Sequence, residues 1–97
     1  MERKIIEQGE LISLICAISF DYNLSVVNAK EGESSKDYYE RIINENSIVI
    51  FEDACLLIEQ RYPEAEWDCD MDEVRNNCLK YIAELIIDKR ILDWKNK

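Results

Sequence analysis

Six carboxylates and no basic residue occupy the stretch Glu64 to Glu73, which reads Glu-Ala-Glu-Trp-Asp-Cys-Asp-Met-Asp-Glu. Carboxylates this dense can ligate a cation, attract a basic protein, or simply solvate a loop and start the helix that follows. Trp67 stands in the middle of the run and Tyr62 just upstream of it. Both residue types commonly anchor protein interfaces, and a surround of acids steers a basic partner and speeds its association. The candidate partner-binding residues are therefore Tyr62, Glu64, Glu66, Trp67, Asp68, Asp70 and Asp72. Competing with that reading, Trp67 could plug the core from its loop, and Asp70 and Glu73 could serve only as a helix start.

Cation binding is testable by spacing. Asp68, Asp70 and Asp72 alternate like the first ligands of an EF-hand loop. Glu73 then stands where the loop needs glycine, and Leu79 where it needs the bidentate glutamate. No metal site is expected. The chain has no histidine, which removes Ser-His and Cys-His nucleophile pairs, a histidine general base and histidine metal ligands. No glycine-rich phosphate loop is present either. With 21 acidic residues some carboxylate pair is always at hand, so pairing alone says nothing about glycoside-type chemistry. The expectation is a non-enzymatic protein with no cofactor.

Four cysteines, Cys16, Cys55, Cys69 and Cys78, contain no Cys-x-x-Cys pair. Cys16, Cys55 and Cys78 lie among apolar residues at helical spacing, the usual setting of a buried free thiol. Cys69 lies in the acidic run. Reduced thiols are expected, as in an intracellular protein.

The elements that carry these residues follow from periodicity and caps. Glu2 to Phe20 reads as a helix, with Ile5, Ile12, Ile15 and Ser19 on one face and Leu11, Leu14 and Ile18 beside it. Gly9 weakens that helix by about 1 kcal/mol relative to alanine. Residues 21–33 contain the turn formers Asn23, Asn28 and Gly32 and read as a loop with a short extended or helical piece. Ser34 caps the next helix, with Asp37 three residues on and a stripe of Tyr38, Tyr39, Ile42 and Ile43; it is expected to stop near Asn44 to Asn46. Ser47 is read as the cap of a third helix, with Ile48, Phe51, Cys55, Ile58 and Tyr62 at helix period until Pro63 ends it. The β-branched run Ser47 to Phe51 would suit a buried strand, but the helical pattern continues well past it. Asp70 opens the last helix with Glu73 three residues later, and Val74, Cys78, Ile82 and Leu85 line one face, joined by Tyr81 and Ile86. Trp94, near the basic C-terminal end of that helix, is read as a packing residue.

The expected fold is a single all-α domain over 1–97, a compact bundle or orthogonal array of about four helices. Two glycines and one proline are too few for an all-β chain. The net charge is −9, and the Glu64–Glu73 run carries −6 of it. Such acidity disfavours direct contact with nucleic acid and with anionic membranes, and favours basic protein surfaces. The uncharged run from Leu11 to Phe20 is too short to span a bilayer, so a cytoplasmic location is expected.

In length, acidity, a composition rich in Lys, Ile and Asn, and cysteines of cytosolic type, the chain resembles the immunity proteins of contact-dependent inhibition and related polymorphic toxin systems. It lacks the pattern of the helical colicin-type immunity proteins, so the resemblance assigns no individual residue. What it implies is a cognate toxin partner, a basic nuclease domain covered by acids that stand in for substrate phosphates. The alternatives are a phage-encoded inhibitor that mimics nucleic acid, and a helical adaptor or regulator. The last would prefer an exposed apolar groove to an acidic patch.

Overall fold

The computed structural model describes residues 4–96. Three helical bodies carry the chain, and a small two-stranded parallel sheet joins its start to the acidic run. The elements are β1 (Ile5–Glu7), α1 (Gln8–Asp21), α2 (Ser35–Arg41), a π-helical segment (Ile42–Ser47), α3 (Ile48–Arg61), β2 (Glu66–Asp68) and α4 (Met71–Lys95). The expectation of a pure all-α bundle of four helices is corrected on two counts.

The first correction concerns the N-terminal segment. A start at Glu2 lies outside the described residues, and the chain turns helical only at Gln8. Before that, β1 pairs with β2 in the register Ile5↔Glu66, Ile6↔Trp67 and Glu7↔Asp68. Ile6 is fully buried while Ile5 and Glu7 are exposed, the period-two alternation of a strand with one face on the core. Burying Ile6 against the core and pairing the backbone groups of 5–7 outweighs one further helical turn. Gly9 then falls in the first turn of α1, where its cost to the helix is small.

The second correction concerns the break expected near Asn44 to Asn46. None occurs, because α2, the π-helical segment and α3 run on without interruption. A π turn absorbs one extra residue. In a pure α-helix, Phe51 would point roughly 180° away from Ile42. With one residue absorbed, Phe51 swings back to about 80° and Ile50 to within about 20° of Ile42. Ile42, Ile50, Phe51, Ala54 and Ile58 are accordingly all buried. The same rotation carries Ser47 into the core. It is fully buried, helical on both sides and caps nothing, and its Oγ has no hydrogen-bond partner. Buried Ser19 on α1 shows the ordinary alternative, donating its Oγ–H to the Ile15 carbonyl at 2.7 Å.

The other caps are as expected. Ser34 Oγ accepts from the Asp37 amide at 3.1 Å, and Asp70 Oδ1 accepts from the amides of Asp72 at 3.1 Å and Glu73 at 3.3 Å. The core gathers Leu11 and Ile15 from α1 with Val74, Cys78, Leu79, Ile82, Ala83 and Ile86 from α4, against the face of α3 just described. Ile5, expected on the core face of a helix, is instead 56% exposed on its strand.

Residues 22–33 hold no strand or helix, only a turn at Glu31 and Gly32, where Gly32 takes φ +77°, a conformation that favours glycine. Side chains pin this loop. Tyr22 donates its hydroxyl to Asp53 Oδ2 at 2.9 Å, and Tyr38 donates to the Val27 carbonyl at 2.6 Å. Arg41 donates to both oxygens of Glu33 at 2.8 and 2.9 Å and to the Asn28 carbonyl at 2.9 Å. The fork from Arg41, helped by the Lys30 amide, holds the Glu33 carboxyl at about 2, well below its ordinary 4.5. A carboxylate depressed in the folded state stabilises the fold above its ordinary pKa, and that contribution drains away as pH falls from about 4.5 toward about 2. Glu33→Gln removes this link. Urea unfolding at a series of pH values is expected to show wild type losing its margin over Glu33→Gln across that window. Parallel curves through the same window would show that the fork does not couple to folding.

Candidate functional site

The zipper between residues 4–8 and 66–70 positions the acidic run. The Glu66 amide donates to the Lys4 carbonyl at 2.8 Å, the Asp70 amide to Gln8 Oε1 at 3.0 Å, and the Cys69 thiol to the Ile6 carbonyl at 3.5 Å. Pairing fixes the pleat, so Trp67 turns half-buried toward the side of Ile6 while Glu66 and Asp68 turn outward. Glu64, Asp70 and Asp72 are exposed as well. Glu7, opposite Asp68 in register, is exposed on the same face of the sheet as Glu66 and Asp68.

The structure brings Tyr62 and Trp67 together. Both line a shallow hollow of about 310 Å³ with Glu59, Pro63 and Ala65. The aromatic pair is thus neither fully core nor fully free, both residues being partly buried. Lys4 belongs to this neighbourhood too. Its ammonium lies 5.3 Å from the centroid of Tyr62 and 3.0 Å from Glu10 Oε1, and Glu10 raises its pKa by hydrogen bond and by charge. The aromatic face therefore already holds one cation in the intramolecular contact. Asp70 has a second role, because its Oδ1 is committed to the N-terminus of α4; Asp72 and Glu73 sit in the first turn, where the helix dipole favours negative charge.

Glu7 and Glu59 were not among the sequence candidates. Glu59 was findable, being three residues before Tyr62 on a helix whose period was clear. Glu7 was not, because a three-residue strand carries no periodicity and its partner lies some sixty residues away in the chain.

The cysteines do different work. Burial, with Cys16 and Cys55 nearby, pushes Cys78 up to about 12. Burial, with Glu59 and Glu52 nearby, pushes Cys55 up to about 11. Thiols raised this far stay protonated and unreactive at neutral pH. All four cysteines are free. Among the described residues, no group of three or more Cys, Asp or Glu is placed to hold a metal ion, and no helix is long and apolar enough to cross a membrane.

Trp94 departs from its expected role. It is 74% exposed rather than packed into the core. It lines, with Ser35, Tyr38, Tyr39, Ile87, Arg90 and Ile91, a recess of about 430 Å³.

Compared with protein-family models, with curated proteins and with solved structures, the chain matches none.

Proposed function

We propose that the chain is a non-enzymatic inhibitor that binds a basic protein through the acidic end formed by Glu64, Glu66, Asp68 and Asp72 around Trp67 and Tyr62, with Glu7 added to it. The observation that carries this reading is the sheet register. It sets a carboxylate from the first strand on the same face as two from the second, beside a half-open aromatic hollow. An aromatic anchor rimmed by carboxylates suits an arginine- or lysine-rich surface. In its specific form the proposal is an immunity protein whose acids cover the substrate-phosphate site of a toxin nuclease. A carboxylate array in place of phosphates would serve a phage-encoded nuclease inhibitor equally well, with a different partner.

The test begins with co-expression of the chain and the product of the adjacent reading frame, followed by pull-down. The variant combining Glu64→Gln, Glu66→Gln, Asp68→Asn and Asp70→Asn removes four charges. It keeps the α4 cap, because asparagine caps as well as aspartate. Binding to the captured partner is expected to weaken by about tenfold or more at low salt, with a flatter salt dependence. Unchanged affinity together with an unchanged salt slope would sink the acidic-end reading.

A further inference from the structure

α4 outlasts the structure it packs on. Ile86 is fully buried, Ile87 and Arg90 are half-buried, and residues 91–96 are all exposed. The overhang shows in the overall shape, 55 × 25 × 17 Å. Its radius of gyration is 15.3 Å, where about 12.5 Å is typical of a compact chain this long. Exposed helix turns gain little from their own propensity, since helical stability comes mostly from packing an apolar face. Yet Ile91, Leu92 and Trp94 stand exposed on this overhang. Helical spacing puts them on two sides. Ile91 and Trp94 line the recess against Tyr38 and Tyr39, and Leu92 lines a second hollow of about 400 Å³ with Phe20, Leu24 and Leu85.

The first recess has the make-up of a binding groove, with mostly apolar walls, few polar groups and a volume within the ~300–1,000 Å³ usual for such sites. Arg90 is the one charged residue in its lining, so the recess is locally positive in a chain of net charge −9. Two guanidiniums face the Tyr38 ring. Arg41, at 5.6 Å, is committed to Glu33. Arg90, at 4.7 Å, lines the recess.

We infer that the recess between α2 and the last turns of α4 is a docking groove for an acidic amphipathic segment of a protein partner. An apolar side chain of that segment enters the hollow of Tyr39, Ile91 and Trp94, and a carboxylate pairs with Arg90. Charge complementarity selects this occupant. A second copy related by twofold symmetry would set the same basic ends face to face, which costs energy. The groove is separate from the acidic end, which sits at the N-terminus of α4, about 24–35 Å away along the helix axis.

The experiment uses the full chain carrying Trp67→Phe, so that Trp94 is the only tryptophan. The probe is a labelled amphipathic peptide of about 16 residues with leucine and phenylalanine at i, i+3, i+4 and i+7 and glutamate elsewhere. Two controls replace its glutamates with lysine or its apolar residues with serine. The glutamate peptide is expected to raise anisotropy and shift Trp94 emission to the blue, and neither control to do so. Arg90→Gln is expected to weaken binding by about tenfold, and Trp94→Ala to abolish it. Trp94 is exposed, so that variant should unfold in urea as its parent does. Equal binding of the lysine peptide, or affinity indifferent to Arg90→Gln, would overturn the inference. Self-association in sedimentation equilibrium that Trp94→Ala reverses would also overturn it, by assigning the groove to a second copy.

Discussion

Ile6→Ala is expected to lower stability by about 2–4 kcal/mol, far more than neutralising any one of the carboxylates beside it. Ile6 is fully buried and is the one core-facing residue of a three-residue strand. Its removal costs the transfer free energy of the lost methyl and methylene groups plus the cavity left behind. The consequence for function is positional. Ile6 holds β1 in place, and β1 holds Glu7 opposite Asp68 and the Lys4 carbonyl against the Glu66 amide. Loosening it should also free residues 66–68. Hydrogen exchange is expected to report lost protection at the Glu66 and Asp70 amides, whose acceptors are Lys4 and Gln8. Exposed carboxylates, by contrast, contribute little to stability on their own. The four-amide variant should thus weaken partner binding while leaving the unfolding midpoint nearly unchanged. Ile6→Ala should do the converse to the midpoint and disturb binding through disorder of β2. A midpoint unmoved by Ile6→Ala would mean that the strand is not anchored as described.

The acidic run illustrates what could be read from residue order and what could not. Its position before α4, the Asp70 cap and the outward acids are local features, and local features are legible. A cap needs only a hydrogen bond spanning three residues, so Ser34 and Asp70 could be found from type and spacing. The long amphipathic face of α4, from Val74 to Ile86, repeats often enough to be unambiguous. The parallel pairing of β1 with β2 is different, because it joins segments about sixty residues apart and neither strand is long enough to show alternation. Ile5 and Ile6 also continue smoothly into the helical pattern of α1, so tertiary burial of Ile6 decided a choice that propensity left open. Trp94 was misplaced for a related reason. Tryptophan is ordinarily well buried, and only the tertiary structure shows that α4 carries Trp94 beyond the core, to 74% exposure.

The π-helical segment explains the remaining misreading, and it yields the sharpest test of the fold. Asn44, Glu45 and Asn46 look like the polar end of a helix, and Ser47 looks like the cap of the next. A polar interval of that length would rotate the following apolar residues off the core if the helix simply continued. The π turn removes the conflict by taking up one residue. Deleting exposed Glu45 should therefore convert the segment to ordinary α-helix while keeping Ile42, Ile50 and Phe51 on one face. That deletion is expected to fold cooperatively, with stability within about 1 kcal/mol of wild type, because the surplus residue is the one that an α-helix would not need. Deleting exposed Glu52, on the same continuous rod, should do the opposite. It advances Ala54 and Ile58 by roughly 100° relative to Ile50 and Phe51, turns both away from α1 and α4, and removes Asp53 from Tyr22. If the π turn straightens to compensate, Ser47, Ile50 and Phe51 are misplaced instead. Either way buried residues are lost from the core, and the Glu52 deletion is expected to show no cooperative urea transition. Circular dichroism and urea titration of the two deletions decide the matter. Equal damage from both would show that the register across Ile42–Ser47 depends on more than the one absorbed residue.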